Sequence, residues 1–77
     1  MRLVDAVQLR IKDLAKERNI SMYRLCTMSG VPQTTVITMP RSSTVKLSTI
    51  YGICEGLEIS LKEFFDSPRF KREIVTD

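Results

Sequence analysis

Seventy-seven residues leave room for one domain with a modest core, and a hydrophobic share of 43% excludes a disordered chain. Twelve Lys and Arg against nine Asp and Glu give a net charge of +3, which favours an anionic partner without requiring one. No apolar run approaches the roughly 20 residues that span a bilayer. Met1-Arg2-Leu3-Val4-Asp5 lacks the apolar core of a signal peptide, so the expected compartment is the cytoplasm. The chain has no histidine, and its two cysteines, Cys26 and Cys54, lie far apart on apolar helix faces. They are expected to be free, buried thiols, and neither a metal site nor a cofactor is expected. With no histidine and no glycine-rich phosphate loop, nothing assembles a nucleophile with its base, so an enzyme is not expected.

The first predicted helix runs from about Val4 to Arg18, with Val7, Ile11, Leu14 and Arg18 at four-three-four spacing. Asn19 tolerates the left-handed conformation that ends a helix. Ser21 is an N-cap for the second helix, and Ile20 with Leu25 has the spacing of a hydrophobic staple. A capping box would want glutamate at 24, where the chain has Arg24. Ser29-Gly30-Val31-Pro32 reads as a turn, since glycine accepts positive φ and Pro32 suits a first helical position. The third helix is expected over about Pro32 to Met39, stopped by Pro40, and Arg41 to Lys46 form a polar, basic loop.

A helical stripe resumes with Leu47, Ile50, Ile53, Cys54 and Leu57. Gly52 inside it costs about 1 kcal/mol against alanine and calls for close helix packing. Gly56-Leu57-Glu58-Ile59 closes this helix, and Ser60-Leu61-Lys62-Glu63 is a capping box opening a fifth, with Leu61, Phe64 and Phe65 on its apolar face. Asp66-Ser67-Pro68 ends it. The fold class is therefore all-α, a five-helix bundle, with residues 1–66 as the domain and 67–77 as a tail.

Residues 21–39 carry the functional signal. Leu25, Val31, Val36 and Met39 are apolar where two crossing helices must meet, Cys26 is small at the contact, and Gly30 takes the turn. This is the layout of a helix-turn-helix, whose second helix enters the major groove of DNA. Gln33, Thr34, Thr35 and Thr38 are the candidate base contacts: glutamine pairs bidentately with adenine, and threonine offers a hydroxyl and a methyl to base edges. Tyr23, Arg24, Arg41, Ser42, Ser43, Thr44 and Lys46 flank that face as candidate phosphate contacts. The backbone amides around Met22 and Tyr23, at the start of the second helix, can cap a phosphate. A plain solvated face has the same polar composition.

The stretch from about Val7 to Phe65 resembles the Cro and phage-repressor type of helix-turn-helix domain, also called the xenobiotic-response-element family. The resemblance is carried by Ile20 to Cys26, Ser29 to Val36, Leu47-Ser48-Thr49-Ile50 and Ile53 to Phe65. It implies a compact five-helix, lambda-repressor-like DNA-binding domain acting as a transcription regulator, expected to be a repressor. Three positions depart from the family's pattern. Met22 stands where members often have a phosphate-contacting Gln. Pro40-Arg41-Ser42-Ser43 replaces a common Asn-Gly turn. No Arg or Lys lies on the third helix before Arg41. All three point to looser, less sharply specific binding.

The expected partner is double-stranded DNA, bound by a homodimer contacting two half-sites about 34 Å apart, with no membrane and no small-molecule ligand. Phe64, Phe65, Phe70, Ile74 and Val75 are the candidate self-contact; a tail packed back on its own domain, and a Phe64 or Phe65 that closes the core, remain open alternatives. The same fold also serves in antitoxins and other regulators that act by binding a partner protein. That reading stands beside the first.

Overall fold

In the computed structural model, which describes all 77 residues, Val4, Val7, Ile11, Leu14 and Ala15 lie buried along one face of α1 (Leu3–Glu17). Arg18, placed on that stripe by spacing alone, is instead exposed at the helix end, where α1 is already giving way to Asn19 at φ +56°. Ser21 caps α2 (Met22–Ser29), its Oγ accepting from the Arg24 amide at 3.0 Å. Ile20 is partly buried against the core, to which Leu25 also belongs. Gly30 ends α2 at φ +66°, and no atom lies within 4 Å of where its Cβ would be. The backbone conformation alone asks for glycine there.

The third helix is shorter than expected. Instead of running from Pro32 to Met39, α3 spans Gln33–Ile37, with Pro32 as its N-cap. Thr38 leaves helical geometry at ψ 0°, and a 3-10 turn follows over Met39–Arg41. The reason is Pro40: it has no N–H to donate and disfavours the α conformation at Met39, so the chain tightens before the proline arrives.

α4 (Leu47–Leu57) buries Ile50, Ile53, Cys54 and Leu57. Leu47 does not join them; at the first turn it faces outward, 63% exposed. Close packing falls on Gly56 rather than Gly52. A Cβ on Gly52 would sit 3.4 Å from Val31 Cγ2, whereas one on Gly56 would lie 2.6 Å from Ser29 Cα and 2.9 Å from the Met28 carbonyl oxygen. Gly56 is therefore a helical residue pressed against the end of α2, and the left-handed residue that ends α4 is Glu58, at φ +57°.

α5 (Leu61–Phe65) opens with both halves of the capping box: the Glu63 amide donates to Ser60 Oγ, and the Ser60 amide donates to the Glu63 carboxylate. Phe64 enters the core and Phe65 stays at the surface. The core is wholly apolar, with no buried polar residue and no buried side-chain polar atom lacking a partner. Cys26 and Cys54 belong to it as free thiols, both pushed upward in pKa by burial.

Residues 67–77 fold back on their own domain. A 3-10 turn at Pro68–Phe70 brings Phe70 against the core and edge-on to Phe65, ring centres 4.9 Å apart. The Thr76 amide donates to the Met1 carbonyl, and the Leu3 amide donates to Asp77 Oδ1 at 2.7 Å. Arg69 grips Asp13 of α1 with two guanidinium hydrogen bonds.

That last pair sets a pH dependence. The Arg69 hydrogen bonds, helped by the charges of Arg69, Arg10 and Lys16, hold the Asp13 carboxyl below the usual aspartate range. A depressed folded pKa contributes stability above the unfolded value of about 3.9 and loses it as pH falls through the folded value. The pair is about one-third exposed, so Asp13→Asn is expected to cost only about 0.5–1 kcal/mol at pH 7. Urea melts should show that gap closing below both pKa values; a gap persisting there would assign the effect to packing rather than charge.

Candidate nucleic-acid interface

A five-residue helix has no stability of its own, because helix nucleation is costly and short helices are marginal in water. α3 therefore depends on what holds it. Val36 is fully buried, Met39 just beyond it is buried, and Val31 packs at the core edge before it. α1 adds polar anchors. The Gln8 side-chain amide donates to the Val36 carbonyl at 2.9 Å and reaches the Ile37 carbonyl at 3.4 Å. The Arg2 guanidinium, paired with Asp5, donates to the Pro40 carbonyl at 2.6 Å and reaches the Ser42 carbonyl at 3.5 Å.

With Val36 turned inward, a helical repeat of 3.6 residues puts Thr34 and Thr38 opposite it on an outward stripe with Ile37 at its edge, while Gln33, three residues before Val36, lies on the flank of the first turn; all four are exposed. Gln33 is the first residue of α3, and its side chain has no hydrogen-bond partner within the protein. Thr38 spends its hydroxyl hydrogen on the Thr34 carbonyl at 2.6 Å, leaving its methyl and oxygen lone pairs outward. Thr35 lies to the side of this stripe. It lines a cleft of about 360 Å³ with Thr38, Ser42, Thr44, Lys46 and Thr49, which gathers five of the sequence-predicted site residues along one edge of α3. Ser43 lies across the loop, lining an apolar groove with Leu3, Leu47 and Phe65.

α2 packs against α3, and its first turn is exposed. Tyr23 is 68% exposed and Arg24 is exposed. Ser21 satisfies the Arg24 amide and its carbonyl accepts from Leu25, so the amides of Met22 and Tyr23 remain open at the positive end of the helix. The Met22 side chain packs against the core edge, leaving its backbone as the only polar group it offers. Arg24, Arg41 and Lys46 are exposed and form no ion pair within the protein. Their charge is free for an external anion.

A family model described as the Cro/C1-type HTH DNA-binding domain matches residues 10–68. The chain belongs to this family. No curated protein and no solved structure matches it. As a Cro/C1-type helix-turn-helix domain, it is a DNA-binding regulator with α2 and α3 as its motif. None of its helices is long and apolar enough to cross a membrane.

Three residues of this Cro/C1-type surface escape a reading of the motif alone. Ile37 is 59% exposed on the outward stripe. Its signal was its place, four residues after Gln33 and off the Val36 face, where an apolar side chain has no core to fill. Gln8 and Arg2 lie before the matched span, and no local pattern ties them to α3.

Proposed function

We propose that this protein is a sequence-specific, double-stranded-DNA-binding transcription regulator, acting as a repressor in the cytoplasm, with α3 reading the major groove. The observation that carries the reading is the exposed polar surface of α3, whose side chains make no hydrogen bond to another segment and which shares a cleft with the unpaired cation Lys46. Gln33 takes adenine by its amide, Thr34 and Thr38 take base edges, and Thr35 sits at the border of base and backbone. Ile37 adds an apolar contact suited to a thymine methyl. Arg41, Ser42, Thr44 and Lys46 hold phosphates on one strand. Tyr23, Arg24 and the Met22 and Tyr23 amides hold the other strand. Ser43 contributes at the loop's outer side. The mechanism is occupancy: the bound protein covers an operator, with no covalent chemistry, metal or cofactor.

A homodimer fits the dimensions. The domain's longest extent, 31 Å, is close to the half-site separation of about 34 Å, so two copies with their long axes along the duplex would approach each other. Of the apolar residues considered for that contact, Phe65 and Ile74 are exposed, while Phe64 is in the core. A second reading, a partner-protein module of the same fold, draws on one observation: the α3 stripe carries no charge and exposes Ile37.

Selection from a random duplex library, with winners retested at two salt concentrations, tests the proposal. A palindrome with steeply salt-dependent affinity is expected; no enrichment and salt-indifferent binding would favour the partner module. Gln33→Ala is expected to lose about 1–3 kcal/mol of discrimination at one base position. Arg41→Ala should weaken all sequences alike and lower the salt slope by about 1. Equal losses across every sequence for both variants would refute these roles.

A further inference from the structure

We propose that Gln8 on α1 and Arg2 at its N-cap, both outside the helix-turn-helix, are positioning residues that set how α3 meets DNA. The inference rests on the reading of α3 as the recognition helix. Specific recognition needs α3 held to a fraction of an ångström, since hydrogen bonds weaken steeply with distance and angle. Yet α3 has only five residues and one buried side chain of its own. Its carboxyl end is tied to α1 by Gln8, through the Val36 and Ile37 carbonyls. The loop that follows is tied to the start of α1 by its N-cap residue Arg2, through the Pro40 and Ser42 carbonyls.

Both contacts are donor side chain to backbone acceptor, across 28 to 40 residues of sequence. They fix the main chain of the reading surface whatever side chains it carries. Asp5 strengthens the second anchor by holding the guanidinium in a two-point grip, at 3.0 and 3.1 Å. With Val36 as the pivot, losing Gln8 leaves α3 attached but free to roll, and losing Arg2 frees the chain from Pro40 to Ser42. Preference among sequences should suffer more than attachment to DNA.

Gln8→Ala and the near-isosteric Gln8→Glu, which removes the donor, should each lower the ratio of affinities for selected and scrambled duplex about tenfold. Gln8→Lys restores a donor and should keep that ratio. Gln8→Ala should leave the salt slope on scrambled duplex unchanged. Hydrogen exchange on the free protein gives a readout that needs no DNA. In Gln8→Ala the Thr38 amide, and in Arg2→Ala the Arg41 and Ser42 amides, should exchange about tenfold faster. The Ile53 and Cys54 amides of α4 should not change.

A Gln8→Glu protein with wild-type preference and wild-type exchange at Thr38 would overturn the proposal for Gln8. Wild-type exchange at Arg41 and Ser42 in Arg2→Ala would overturn it for Arg2. Acceleration shared equally by Ile53 and Cys54 would overturn both, showing a loss of global stability instead. Should the unaltered protein show no preference among duplexes, the DNA reading fails by that result alone, and the exchange data still decide the roles of Gln8 and Arg2.

Discussion

Phe64→Ala is expected to destabilise the protein by about 3–5 kcal/mol, the range for removing a fully buried aromatic side chain. The ring is completely buried and stands edge-on to Phe65, with centres 5.0 Å apart, and tilted against Phe70. It joins α5, the tail and the common core. Its carbonyl also accepts from Arg10 of α1 at 2.7 Å, so movement of α5 into the vacated space strains a second connection. Small domains have about 5–15 kcal/mol in total, so this change removes a large part of the fold's stability. DNA binding at 37 °C should fall with the folded fraction and return on cooling. Phe65→Ala, at a ring 37% exposed, should cost far less. Equal costs by denaturant melt would show that the two rings share the core, contrary to the structure.

Gly56→Ala should lower stability by about 2 kcal/mol despite replacing a helical glycine. Alanine ordinarily gains up to about 1 kcal/mol at such a site. Here its Cβ would meet Ser29 Cα at 2.6 Å and the Met28 carbonyl at 2.9 Å, backbone atoms that move only if α2 and α4 separate. The melting temperature should drop by about 8–16 °C, at 4–8 °C per kcal/mol for a domain of this size. Gly52→Ala is the control. Its nearest neighbours lie at 3.4 and 3.5 Å, one of them a side-chain methyl, so it should be neutral or stabilising. A Gly56→Ala protein that melts at or above the wild type would mean that the two helices meet less closely than described. Because α2 carries the open amides proposed for phosphate, displacement at its far end is also expected to weaken binding.

These two variants also mark where sequence reading reached its limit. Ser21, Asn19, Gly30 and the Ser60–Glu63 box were legible because caps and turns act over three or four residues. The stripes Val7–Ile11–Leu14 and Ile50–Ile53–Leu57 were legible because helical periodicity is local as well. Neighbouring phenylalanines at 64 and 65 offer no such cue. Which ring turns inward depends on α1 and the tail, far away in the chain. Gly52 and Gly56 lie one helical turn apart, and only the approach of Ser29 separates their roles.

The candidate site divides along the same line. That Thr34 and Thr38 face outward followed from Val36 facing inward, a matter of helix geometry alone, whereas Gln33 shares the side of Val36 and is exposed because it begins the helix. That Thr35, Ser42, Thr44 and Lys46 line one cleft, while Ser43 turns toward an apolar groove, depended on how the loop crosses between α3 and α4. The shortened α3 required both scales: Pro40 stops the helix locally, and Gln8 of α1 and the N-cap Arg2 before it hold the result.

By itself, then, the sequence determined the five α-helices, most of their ends, the helix-turn-helix and the outward face of α3. All of these arise from interactions within a few residues. Tertiary structure alone decided the glycine at the helix crossing, the phenylalanine in the core, the tail folded on its own domain and the α1 side chains that anchor α3. Each of those is a contact between segments distant in the chain, chosen by the packing of the whole domain.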